Sequence, residues 1–142
     1  MRNRGVSLLE LLFVLVVIAI LLGLVAPRFA RVRDTMATDR AARELALFYA
    51  QARYGAILRG TRVRIEFGVD SLRAVYESVQ DSVFILRPGP GRLGVSLTTS
   101  RSVIRIYPNG FGLGAANTKL IVQRGTAAES LTTSRLGRMK RW

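Results

Sequence analysis

Apolar residues follow three successive patterns along the chain. From Leu8 to Ala26 almost every position is apolar, with Glu10 the only charge, and the 16 residues from Leu11 to Ala26 hold no polar side chain. A helix over Ser7 to Ala26 would be about 30 Å long at about 1.5 Å per residue, which matches a bilayer core. Pro27 closes the run and, lacking an N–H, is expected to kink the helix rather than end it. Over residues 28–58 the apolar positions Ala37, Ala41, Leu45, Phe48, Ala52 and Gly55 recur every three or four residues. This predicts a second helical stretch with one apolar, Ala-rich face suited to close packing on a sheet. Arg40, Arg43, Glu44, Gln51 and Arg53 fall mostly elsewhere on the wheel, and Gly60 is the expected stop.

Beyond Gly60 the period drops to two. Val63, Ile65 and Phe67 alternate with Arg62, Arg64 and Glu66, and after the turn-forming Gly68-Val69-Asp70-Ser71 the residues Leu72, Ala74 and Tyr76 complete a hairpin. Further strands are expected at Val83 to Leu86, Ser102 to Tyr107, Lys119 to Gln123 and, more weakly, Leu131 to Leu136. Arg87-Pro88-Gly89-Pro90-Gly91 reads as a loop and Pro108-Asn109-Gly110 as a stop. The predicted fold class is α+β: one long N-terminal helix, its first half transmembrane, packed on an antiparallel β-sheet. The expected division is a leader at 1–5, a membrane-spanning helix at 6–27, its amphipathic continuation at 28–60, and a sheet domain with a basic C-terminal tail at 61–142.

A secretory signal peptide is the competing reading of the N-terminus. It fits poorly, because the apolar run exceeds the usual h-region, a carboxylate stands near its start, and Pro27 would directly follow a Leu24-Val25-Ala26 cleavage site. Charge counts do not orient the span, since Arg2 and Arg4 precede it while Arg28, Arg31 and Arg33 follow.

Composition narrows the chemistry. The 142 residues include 22 Lys+Arg against 9 Asp+Glu, with no His and no Cys. That excludes Ser-His-Asp and Cys-His nucleophile pairs, thiolate or imidazole zinc sites, and disulfides. So few acids speak against a carboxylate metal or catalytic site, and no cofactor, metal or enzymatic activity is expected. The formal charge of +13 is unevenly spread: residues 87–142 hold ten Lys+Arg and one acid, Glu129, for a net of +9.

The N-terminal run Gly5-Val6-Ser7-Leu8-Leu9-Glu10-Leu11-Leu12-Phe13-Val14, behind the basic leader, resembles the prepilin signal of type IV pilins and type II secretion pseudopilins. The resemblance implies cleavage by a prepilin peptidase between Gly5 and Val6 and N-methylation of Val6. Glu10 becomes the fifth mature residue, matching the family's glutamate; Val6 departs from its usual Phe. A carboxylate in a bilayer is costly unless paired or near the interface. The new α-amino group of a neighbouring subunit's Val6 is a natural partner, and such a pair would set axial register during assembly. The plainer reading is that Glu10 snorkels to the membrane face. Further partners implied are other pilins through the N-terminal helix and an inner-membrane assembly platform, with the globular part in the periplasm.

The globular part, through Ile104-Arg105-Ile106-Tyr107-Pro108-Asn109-Gly110 and Leu136-Gly137-Arg138-Met139-Lys140, resembles the GspH/FimT family of minor pseudopilins and minor pilins, and the resemblance spans essentially the whole chain. One branch of that family sits near the tip of the type II secretion pseudopilus. Another serves DNA uptake in type IV pili through a C-terminal Gly-Arg-x-Arg motif. The matching residues are Gly137, Arg138 and Lys140, flanked by Arg135 and Arg141, with Lys in place of the second Arg. Lys neutralises a phosphate but lacks the bidentate fork. Binding through them would be salt-sensitive and largely sequence-independent, with Trp142 available to stack on a base. A solvated basic end, or contact with acidic neighbours or anionic lipid, is the alternative.

Overall fold

The computed structural model describes residues 7–78, 80–113 and 117–142, with only the backbone at 24–27. Two compact units divide between Arg33 and Asp34. Helix α1 (Leu8–Arg59) runs through Pro27. Ser7 caps its start: the Ser7 Oγ accepts the Glu10 N–H at 3.2 Å. Ser7-Leu8-Leu9-Glu10 thus has the spacing of a capping box, and the acid lies in the first turn, where the helix dipole favours it. In the first unit every described side chain of residues 8–23 is exposed. At the other end Gly60, at φ +60°, terminates the helix as expected.

In the second unit one face of α1 is buried. Ala41, Leu45, Phe48, Ala52 and Gly55 all lie in it, joined by Thr38, Ala42, Tyr49 and Ala56, while Ala37 is half-buried. Small residues let sheet side chains approach closely: Phe84, stacked on Tyr76 with centroids 3.9 Å apart, fills the space that a Cβ on Gly55 would need.

Two four-stranded antiparallel sheets form, rather than the single expected sheet. In the first, the order is β3 (Ser82–Pro88), β2 (Ser71–Glu77), β1 (Arg62–Phe67), β5 (Val103–Ile106). The predicted β1–β2 hairpin is present in register, Val63 opposite Tyr76 and Phe67 opposite Leu72. In the second, the order is β4 (Ser96–Thr99), β6 (Thr118–Arg124), β7 (Ala127–Thr133), β8 (Met139–Arg141). One core joins the helix to both sheets, with Phe48, Ile65, Ile106, Leu120 and Leu131 at its centre.

Four local expectations are corrected. Strand β4 was not expected, because Ser-Leu-Thr-Thr carries one apolar residue; its pairing with β6 supplies what the pattern lacks. The last predicted strand, Leu131 to Leu136, instead runs Ala127–Thr133, because the Gly125 turn sets Arg124 opposite Ala127 and fixes the register from that end. The basic tail is itself a strand, β8, on the edge of the second sheet, and Arg87-Pro88 belongs to β3 before a 3₁₀ turn at Pro90–Leu93.

Candidate functional site

The N-terminal candidate is a helical surface. From Leu8 to Gly23 it presents Leu, Val, Ile and Phe side chains outward, with Glu10 the only charged group among them. Gly5 and Val6 lie outside the described residues. The capping role of Ser7 was missed in the sequence, although the Ser-x-x-Glu spacing signals it.

The C-terminal candidates are sorted by the backbone. A tight turn at 134–138 is held by the Ser134 N–H to the Arg138 carbonyl (2.8 Å) and the Gly137 N–H to the Ser134 carbonyl (3.0 Å). Gly137, at φ +72°, is buried in it; a Cβ there would overlap the Gly110 carbonyl oxygen and come within 2.6 Å of Arg53 Nε. Arg53 on α1 donates from Nε to that same carbonyl at 2.9 Å. The Pro108-Asn109-Gly110 and Leu136-Gly137-Arg138 segments, distant in sequence, are therefore clamped together against the helix. Arg53 was overlooked because its wheel position reads as solvent-facing. Arg135 is tied in by its backbone: its carbonyl accepts the Gly112 N–H and its own N–H reaches Asn117 Oδ1.

Strand β8 then splits the remaining residues between two faces. Met139 and Arg141 point to the helix side. Met139 packs on the core, and Arg141 pairs with Asp39 of α1 and with Glu129 of β7 (2.5 Å from Nε). Hydrogen bonds to Glu129 and then Asp39 hold the Arg141 guanidinium more firmly charged than usual. Lys140 projects from the opposite face, opposite Thr132, with Nζ 3.6 Å from the Trp142 ring centroid; Trp142 in turn donates to Thr132 Oγ1 at 3.2 Å. Arg138 and Lys140 line a groove of ≈ 630 Å³ with Thr132, Ser134 and Leu136. Among the described residues no carboxylate pairs with either. Of the five residues singled out for a polyanion, Arg138 and Lys140 meet at one groove, while Gly137 is buried in the turn and Arg141, though exposed, is engaged by Asp39 and Glu129.

The same pairing dissolves part of the C-terminal charge excess. Arg92, Arg105, Arg124 and Arg141 meet Glu44, Glu77, Asp34 and Asp39, all from the first 86 residues.

An exposed apolar N-terminal helix leading into a helix-on-sheet domain is the arrangement of a pilin-like filament subunit. Residues 1–26 match the prokaryotic N-terminal methylation motif, and residues 41–137 match the family described as Type II transport protein GspH. The chain belongs to that GspH family. It is similar to the pilin-like protein PilA1 of Thermus thermophilus, 44% identical over 66 residues; the match covers 46% of this chain and spans 41% of that relative's length. Two crystal structures of the type IV minor pilin FimU of Pseudomonas aeruginosa share its fold. They have TM-scores of 0.64 and 0.62 at 16% and 14% identity, cover 72% and 73% of this chain, and are themselves covered to 86% and 91%. The family and the fold are those of minor pilin and pseudopilin subunits of type IV pilus-like filaments.

Proposed function

We propose that this chain enters the inner membrane as a single-pass precursor, its leader cytoplasmic and its globular domain periplasmic. It is cut after Gly5, methylated on Val6, and drawn by the assembly platform into a short filament near its tip, acting in protein secretion. The observation that carries this reading is the Ser7-capped helix whose residues 8–23 are wholly exposed around a single carboxylate. Such a surface is unfavourable in water and neutral only in lipid or against other helices. Intact mass in cells with and without prepilin peptidase tests the first step: a product beginning at Val6 is expected only with the enzyme. Loss of the gene is expected to abolish secretion by the cognate system.

A specific observation favours a second reading, DNA binding in uptake. Arg138 and Lys140 stand side by side on a groove without acids, next to an exposed Trp142. Under this reading gene loss abolishes transformation and leaves secretion intact, so the two phenotypes separate the roles.

A further inference from the structure

A second basic depression, lined by none of the residues of the Arg138–Lys140 groove, lies on the second unit. It is an open depression of ≈ 480 Å³ lined by Met36, Ala37, Arg40, Arg92, Leu93, Gly94 and Arg124. Three guanidiniums from three elements converge there: Arg40 from α1, Arg92 from the 3₁₀ turn and Arg124 from β6.

Each is oriented by a partner behind it. Glu44 accepts from Arg40 Nε (3.1 Å) and from Arg92 Nη2 (2.6 Å), and Asp34 sits 3.0 Å from Arg124 Nε. Arg124 Nη1 also donates to the Leu93 carbonyl. Gly94, at φ +66°, lets the chain pass against the Arg124 guanidinium, which lies 3.3 Å from where a Cβ would be. A guanidinium carries five N–H donors. Among the described residues these contacts leave both Nη groups of Arg40, the Nε and Nη1 of Arg92, and the Nη2 of Arg124 without acceptors. The carboxylates Glu44 and Asp34 fix the arginines without lining the cavity.

Three positive charges against two negative ones leave a net of about one, held in preorganised forks of the geometry that suits phosphate oxygens. The remaining walls, Met36, Ala37 and Leu93, are apolar. We infer that the Arg40–Arg92–Arg124 cavity is a binding site for a singly charged phosphate group. Its forks take the phosphate oxygens and its apolar wall takes the carbon flanking them. Only the nine residues 27–35 separate Met36 from the end of the apolar run in the sequence; on the proposed reading, in which that run spans the membrane, the phosphodiester of an anionic phospholipid is the favoured source, and inorganic phosphate shares the chemistry.

The test uses the full chain in nonionic detergent micelles. The arginine Nε–H signals are followed by NMR during titration with inorganic phosphate, with chloride at matched ionic strength as reference, and separately with phosphatidylglycerol or phosphatidylcholine doped into the micelles. Saturable shifts of the Arg40, Arg92 and Arg124 signals with phosphate and phosphatidylglycerol, but not with chloride or phosphatidylcholine, are expected. Response to inorganic phosphate alone upholds the site and assigns it to a free phosphate. Arg40→Gln, which alters an exposed residue, should weaken the response about tenfold, whereas Arg101→Gln, outside the cavity, should leave it unchanged. Absence of a saturable shift with both inorganic phosphate and phosphatidylglycerol, or an identical titration in Arg40→Gln, overturns the proposal.

Discussion

At Gly137 the backbone sits at φ +72° with the Gly110 carbonyl oxygen in the place of a side chain. An L-residue there meets both a conformational and a steric cost, together about 1–3 kcal/mol. Gly137→Ala should therefore lower the thermal midpoint of the domain. Arg53→Met, which keeps the stem and loses the bond to Gly110, should cost about 1 kcal/mol. Arg138 and Lys140 belong to the opposite case: both are exposed, and their replacement by Gln should shift stability by no more than about 0.5 kcal/mol. If they contact DNA phosphates, a gel shift across a salt series should show the double variant losing affinity and flattening the log–log salt slope by about two. An unchanged slope would remove them from the interface. Because Arg141 is engaged with Asp39 and Glu129, Arg141→Gln should reduce stability more than the double variant does.

The second unit is held together as elements by carboxylates on α1 that each receive an arginine from the sheet region: Asp34 from Arg124, Asp39 from Arg141, Glu44 from Arg92. Hydrogen bonds from Arg43 and then Arg141 lower the Asp39 pKa. Burial pushes Glu44 upward, but its bonds to Arg92 and Arg40 outweigh that and leave it lowered. Groups lowered by folding contribute stability above the ordinary carboxylate range and lose it as pH falls through the folded value. The thermal midpoint should be nearly flat from about pH 7 to 5 and drop below about pH 4. Asp39→Asn with Glu44→Gln should shrink that drop; an undiminished acid transition would show that other groups govern it. None of these pairs is legible in the sequence, since Asp39 and Arg141 are about a hundred positions apart and no spacing rule links them. The helix and the β1–β2 hairpin were legible, because each buries one face at its own period, from Ala41 to Ala52 and from Val63 to Tyr76. Strands β4 and β8 were not: they are short, polar and defined by a neighbour's register rather than by their own pattern. Of the candidate site, the cationic character of Arg138 and Lys140 is plain in the sequence and their exposure is seen in the structure, while the structural duties of Gly137 and Arg53 depend on a loop some 27 residues earlier in the chain than Gly137.

For the whole molecule, cleavage after Gly5 would remove Arg2 and Arg4, leaving 20 Lys+Arg against 9 acids on 137 residues. Seven of the nine acids lie in ion pairs within the second unit, so the surplus sits in exposed arginines and lysines, and Glu10 stands apart in an apolar surface. Glu10 has two separable properties. It occupies the third position of a helix capped by Ser7, and it carries a charge that, on the proposed reading, a neighbouring subunit's α-amino group neutralises. Glutamine serves the first role but not the second, since Gln is accepted at that position of a capping box. Glu10→Gln and Glu10→Val should therefore both be cleaved after Gly5 to the wild-type extent, read by intact mass. Both should be depleted from sheared filaments by about tenfold or more, read by immunoblot against the membrane pool. Wild-type incorporation of Glu10→Gln alongside failure of Glu10→Val would assign Glu10 to starting the helix, and the charge would then have no part in setting register. On the proposed reading, a pair that forms only at the correct stagger would cost little in the membrane, with Glu10 at the start of the apolar run, and would reject every misaligned neighbour in the filament.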